Sequence, residues 1–136
     1  MQVNRYLADK AMDHIDHALG RPLDPMGETH RHHYAANRDG PIAAEMRASP
    51  HWTNGSTVGD IVFFYVTDEG RTALAAHLRA IADPHRAFAV TFDGHTWPVV
   101  ATSRAKARYS AFLDVSDAFA DLTFSTFCRR TSVRRA

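Results

Sequence analysis

The chain is poor in the residues that staple a fold, cross a membrane or announce a reaction. It has one cysteine, Cys128, in 136 residues, which excludes an intramolecular disulfide framework and suits a reducing compartment. A lone thiol beside Phe127 and two arginines, with no motif placing a histidine or asparagine next to it, reads as a small buried hydrophobe. The longest apolar run, Ile61–Val66, is far too short to span a bilayer. The opening Met-Gln-Val-Asn-Arg-Tyr lacks the apolar core of a secretion signal. A cytoplasmic location without a membrane partner is the expectation. Also missing are a Gly-x-Ser-x-Gly nucleophile elbow, a Gly-rich phosphate loop, a dinucleotide fingerprint and a His-Glu-x-x-His zinc motif. No catalytic residue is assigned, and a non-enzymatic role is expected.

What is present is the composition of an ordinary soluble globular protein, with 45% hydrophobic and 23% charged residues. The length suits one domain, 1–136, or two subdomains, 1–84 and 85–136. Leu7, Ala11, Ile15 and Leu19 recur at helical spacing, so a helix is predicted from Asn4, its cap, to Leu19, closed by Gly20 and Pro22. Residues 21–40 show no sustained period and read as a long connection. Pro41 opens a short helix that stops before Ser49-Pro50, and residues 51–60 read as turns. Ile61–Val66 is a strand, and Thr67 with Asp68 and Glu69 starts a helix carrying Leu74 and Leu78 until Asp83-Pro84 ends it.

The last third has the clearest structural grammar. Phe88, Val90 and Phe92 alternate, Asp93-Gly94 supplies a two-residue reversal, and Trp97–Ala101 returns. Pro98 lacks an N–H, which places the returning strand at an edge. Thr102 or Ser103 caps a helix whose predicted inner face is Ala105, Tyr109, Phe112, Val115 and Phe119. Thr123 caps a short helical turn, and Thr131–Ala136 closes as a strand or extended tail. The fold class is α+β: an N-terminal helix, a central strand and helix, and a C-terminal ββα(α)β unit around one small, mainly antiparallel sheet. The expected core includes Leu7, Ile15, Val62, Phe64, Leu74, Leu78, Val90, Phe92, Val99, Phe112 and Phe119.

Charge is unevenly spread. Residues 1–100 hold nine Lys/Arg against twelve Asp/Glu, whereas residues 101–136 hold seven against three. Arg104, Lys106, Arg108, Arg129, Arg130, Arg134 and Arg135 therefore form a basic end able to attract phosphates or an acidic protein surface. Trp52 and Tyr34 join them as candidate binding residues of the types enriched at interfaces. Nine histidines are the compositional outlier. His14, His17, His30 and His32, near Asp13 and Asp16, are candidate ligands for zinc or nickel, which imidazole and carboxylate suit.

Ala101-Thr-Ser-Arg-Ala-Lys-Ala-Arg-Tyr109 and Ser132-Val-Arg-Arg135 resemble the C-terminal module of small phage and prophage accessory proteins. That resemblance implies a mobile-element origin and brings no activity with it. Residues 61–74 resemble the strand-then-helix segment of winged-helix regulators. The leading expectation is an accessory protein that binds and occludes a host protein or protein complex, in the manner of anti-CRISPR and other anti-defence inhibitors. The alternatives are a DNA-binding regulator, which would use nucleic acid as partner, and a His-rich metal-binding protein or small enzyme.

Overall fold

The computed structural model describes residues 2–136, which divide into two compact units, Gln2–Asp83 and Pro84–Ala136. Each has its own antiparallel three-stranded sheet and its own apolar core. The fold is α+β as expected, but the single sheet becomes two. One strand of each unit is central and paired on both sides within that unit.

In the N-terminal unit the elements are α1 (Lys10–Ala18), β1 (His33–Asn37), α2 (Pro41–Arg47), β2 (Trp52–Val58), β3 (Ile61–Val66) and α3 (Asp68–Ala80). The sheet order is β1-β3-β2, with Val62 and Phe64 of β3 buried. The first helix starts five residues later than expected, with Asp9 rather than Asn4 as its cap, accepting from the Met12 amide at 3.1 Å. Val3, Arg5 and Leu7 are all buried; this alternation is that of extended chain. The segment is tied down by the Val3 amide donating to the Arg21 carbonyl and the Leu7 amide donating to the Asp13 carboxylate.

Two further strands lie where connections were expected. β1 sits inside the presumed long connection of residues 21–40, and β2 replaces the turns of residues 51–60. β2 is bulged between Asn54 and Thr57, and Gly55 is required there because a Cβ would collide with the Tyr65 ring.

Two helices of this unit end alike. In α1 the Arg21 amide donates to the Asp16 carbonyl and the Gly20 amide to the His17 carbonyl; in α3 the Asp83 and Ala82 amides donate to Leu78 and Arg79. Both are Schellman closures, which place the residue after the cap in the left-handed region. Gly20 occupies that position in α1 with φ 80°, but Ala82 occupies it in α3 with φ 53°.

In the C-terminal unit the elements are β4 (Arg86–Phe92), β5 (His95–Ala101), α4 (Arg104–Ser116), α5 (Phe124–Arg130) and β6 (Thr131–Arg135), with sheet order β5-β4-β6. This is the expected ββα(α)β unit. Asp93 and Gly94, at φ 54° and 80°, make the two-residue reversal. β5 is an edge strand, as Pro98 requires. Ser103 caps α4 and Thr123 caps α5, each accepting an amide three residues on at 3.1 Å.

The face of α4 differs from the expectation. Ala107 and Ala111 are buried, with Phe112 and Val115 packed against the same cluster as Phe88, Val90, Phe92 and Phe127. Small alanines let the helix approach the sheet closely, and that rotation turns Tyr109 outward. Phe119 lies past the end of α4 and is exposed, although its ring edge meets Phe92 at 5.7 Å. Among the described residues no helix is long and apolar enough to cross a membrane.

Candidate functional site

The seven basic side chains of the last third do not form one patch. Residues two apart on a helix differ by about 200°, so Lys106 points away from Arg104, while Arg104 and Arg108 share a side. Arg108 is half-buried, and its Nε is buried without a hydrogen-bond partner among the described residues. Arg129 is spent on its own helix, donating to Ser125 and Thr126. Arg130 donates to Asp93 at 3.3 Å and lies over the Phe92 ring at 4.8 Å, which fastens α5 to the hairpin turn. Arg134 and Arg135 are neighbours on β6 and therefore point to opposite faces of the sheet. Both are exposed, and among the described residues neither has an ion pair.

Beside Lys106 lies an apolar groove of about 450 Å³ between α4 and α5. Ala105, Tyr109, Ser110, Leu113 and Phe124 complete its lining. Tyr109 and Leu113 are 52% and 53% exposed, and the Tyr109 and Phe124 rings meet edge to face at 5.4 Å. Phe112 stands behind them, 5.4 Å from Phe124 and 5.6 Å from buried Phe127, so the outer aromatics are backed by the core. Rigid aromatic area held open in this way supplies contact at low entropic cost. Tyr109, Leu113 and Phe124 were not among the candidate residues, Tyr109 having been expected on the inner face of α4. For Leu113 the signal was its place two residues past Ala111, about 200° away from the alanine face of α4, legible only once that face is known; Phe124, on α5, had no such signal.

Trp52 and Tyr34 belong elsewhere. Trp52 is buried and Tyr34 half-buried in the N-terminal core, so neither is a surface anchor. Tyr34 organises three rings: His14 at 5.2 Å, His17 at 5.7 Å and Trp52 at 6.1 Å. His32 packs on Tyr65 and His33 on Phe63, while His30 is exposed. His14, His17, His32 and His33 are thus ring partners, and among the described residues no three His, Cys, Asp or Glu side chains converge as a metal ion needs.

The acids beside His14 and His17 are taken by arginines. Asp16 is fully buried and receives Arg5 through two nitrogens at 2.7 and 3.0 Å, a bidentate pair. Arg5 also donates to the Pro22 carbonyl and to Asp83. Arg21 bridges Asp13 at 2.7 Å and Asp16 at 3.2 Å. Its hydrogen bond holds the Asp13 carboxyl below the usual carboxylate range and raises its own pKa. Burial, followed by the nearby Arg31 and Arg21 charges, lowers the pKa of His17 and favours its neutral form.

His17 and Arg21 line an open polar hollow with Gln2, Val3, Asn4 and Tyr6. Arg21 stacks over the Tyr6 ring at 4.5 Å. The guanidinium is therefore committed to Tyr6 and two carboxylates. Cys128 is half-buried and unpaired, next to the buried Phe127.

Comparison with family models, curated proteins and solved structures returned no match.

Proposed function

We propose that this is a non-enzymatic accessory protein of a phage or other mobile element, working in the host cytoplasm by covering a surface of a host protein complex, as anti-CRISPR and other anti-defence inhibitors do. The origin rests on the resemblance carried by residues 101–109 and 132–135. The binding mode rests on one observation above all: Tyr109, Leu113 and Phe124 are held out of the core around an apolar groove, with Lys106 at its rim. Exposed aromatic and aliphatic area of this kind marks interaction surfaces. A tagged protein should retain a host complex that Tyr109→Glu with Leu113→Glu releases, while circular dichroism of the variant stays unchanged. Undiminished retention by the folded double variant removes the groove from the interface.

A second reading, a DNA-binding regulator, draws on Arg104, Lys106, Arg108, Arg134 and Arg135, which make no ion pair among the described residues. It ranks below the first because a strand, a short helix and another strand precede β3 where a winged helix has its recognition pair. Affinity for duplex DNA that falls steeply with salt is its signature.

A further inference from the structure

The closing strand leaves one side of its backbone unused. The Ala136 amide donates to the Ala87 carbonyl at 3.1 Å, and Arg135 stands opposite Phe88. Bonded and non-bonded pairs alternate along an antiparallel ladder, so Ser132 and Arg134 also turn their amides and carbonyls toward β4. Val133 and Arg135 turn theirs away. Among the described residues those outward groups have no backbone partner.

The other edge strands are closed to an incoming chain or carry no charge with which to select one. By the same alternation, β5 presents residues 96, 98 and 100 outward, and Pro98 in the middle has no N–H to give. β2 is broken by its bulge. β1, His-Tyr-Ala-Ala-Asn, has neither Lys, Arg, Asp nor Glu. β6 is unbulged, free of proline, and has an arginine on each face of the sheet.

We propose that the β6 edge accepts an extended acidic segment of a partner protein as an added strand, with its carboxylates on Arg134 and Arg135. This deepens the binding function proposed above and rests on it. The occupant must donate and accept hydrogen bonds alternately at strand spacing, which a peptide backbone does. Phosphate oxygens only accept and leave the Val133 and Arg135 carbonyls unmet. Because the two arginines lie on opposite faces, the segment needs two adjacent acids, one for each. A second copy of this chain would bring Arg129, Arg130, Arg134 and Arg135 against the same four charges, which disfavours self-pairing.

The test uses fluorescence polarisation with the full chain and a short capped Thr/Val peptide carrying two central glutamates. Three changes should each weaken binding about tenfold or more, the worth of a charge-assisted or backbone hydrogen bond. They are glutamine in place of both glutamates, N-methylation of the peptide at alternate amides, and Arg134→Glu with Arg135→Glu. Val133→Pro, which removes one outward N–H and leaves the β4 ladder intact, should act in the same direction. The N-methylated peptide covers the case in which that variant does not fold.

Equal binding of the methylated peptide, or no binding of the acidic peptide at millimolar concentration, overturns the inference. So does a DNA oligonucleotide that binds more tightly than the peptide, or a dimer in sedimentation that Val133→Pro dissolves. If the edge fails while Tyr109→Glu with Leu113→Glu still releases the host complex, the binding function stands without it. If that groove variant also retains the complex, the function proposed above falls as well.

Discussion

The two units have the same kind of sheet and differ in what they do with arginine. In Gln2–Asp83 four guanidinium groups are structural: Arg5 and Arg21 neutralise Asp13 and Asp16, Arg71 gathers the carbonyls of Pro25 and Gly27 with the Thr29 hydroxyl, and Arg47 caps the Arg38 carbonyl. In Pro84–Ala136 Arg130 pairs with Asp93, while among the described residues Arg104, Arg108, Arg134 and Arg135 make no ion pair and are left over. A surplus of +4 and a deficit of −3 describe the sequence, but engagement decides the use. Charges already bonded inside a unit stabilise it, and charges left over are available to something else.

The largest effects should come from breaking what holds each unit. Asp16→Ala takes the bidentate partner from the buried Arg5 guanidinium and leaves it the longer Asp83 contact and the Pro22 carbonyl, a change that costs about 3–5 kcal/mol. Phe127→Ala, the matching deletion in the other core, opens a cavity and costs about 3–5 kcal/mol. Denaturant unfolding followed by tryptophan emission checks both, with Trp52 in one core and Trp97 packed against the other. An Asp16→Ala loss that shows equally at both sites would erase the division of labour.

A middle-sized effect of opposite sign is expected at Ala82. Left-handed backbone disfavours an L side chain by about 1 kcal/mol, and glycine removes that strain at some cost in unfolded-state entropy. Ala82→Gly should therefore raise stability by a few tenths of a kcal/mol, making the end of α3 match the Gly20 end of α1. A lower unfolding midpoint would mean that the Ala82 methyl matters more than its φ.

The smallest effect is a pH dependence confined to the N-terminal unit. His17 has a folded-state pKa below its unfolded value, so the unfolded chain binds the extra proton first. Its contribution is complete above about pH 6.5 and is lost as pH falls toward the folded pKa. Asp13, also lowered, adds a loss in the same direction in the acid range. The difference in stability between wild type and His17→Gln should shrink from pH 7.5 to 5.5. A constant difference would place the histidine's role in ring packing on Tyr34 alone.

Much of this fold was legible because it is written locally. Thr67, Ser103 and Thr123 announce helix starts, Asp93-Gly94 announces a hairpin, and Pro98 announces an edge. What was hidden is written across distance. β2 buries Trp52 alone among its seven residues, so it has no apolar alternation to read. Leu7 happens to fall in phase with Ala11, Ile15 and Leu19, and only the burial of Val3 and Arg5 reveals the extended chain. The Arg5–Asp16 pair joins residues eleven apart and looks like two solvated charges in sequence. The binding candidates divided for the same reason: basic residues could be counted, but which of them are already partnered depends on Asp93, Ser125 and Thr126.

The most direct test of this contrast is an arginine-to-alanine series read by thermal unfolding of the intact chain. Arg5→Ala and Arg21→Ala should lower the midpoint by roughly 5–15 °C, since about 1 kcal/mol shifts a small domain by 4–8 °C. Arg134→Ala and Arg135→Ala should leave it within about 2 °C, as exposed unpaired side chains do. Equal losses in the two sets would contradict the account, because the arginines of the closing strand would then be holding the fold rather than facing a partner.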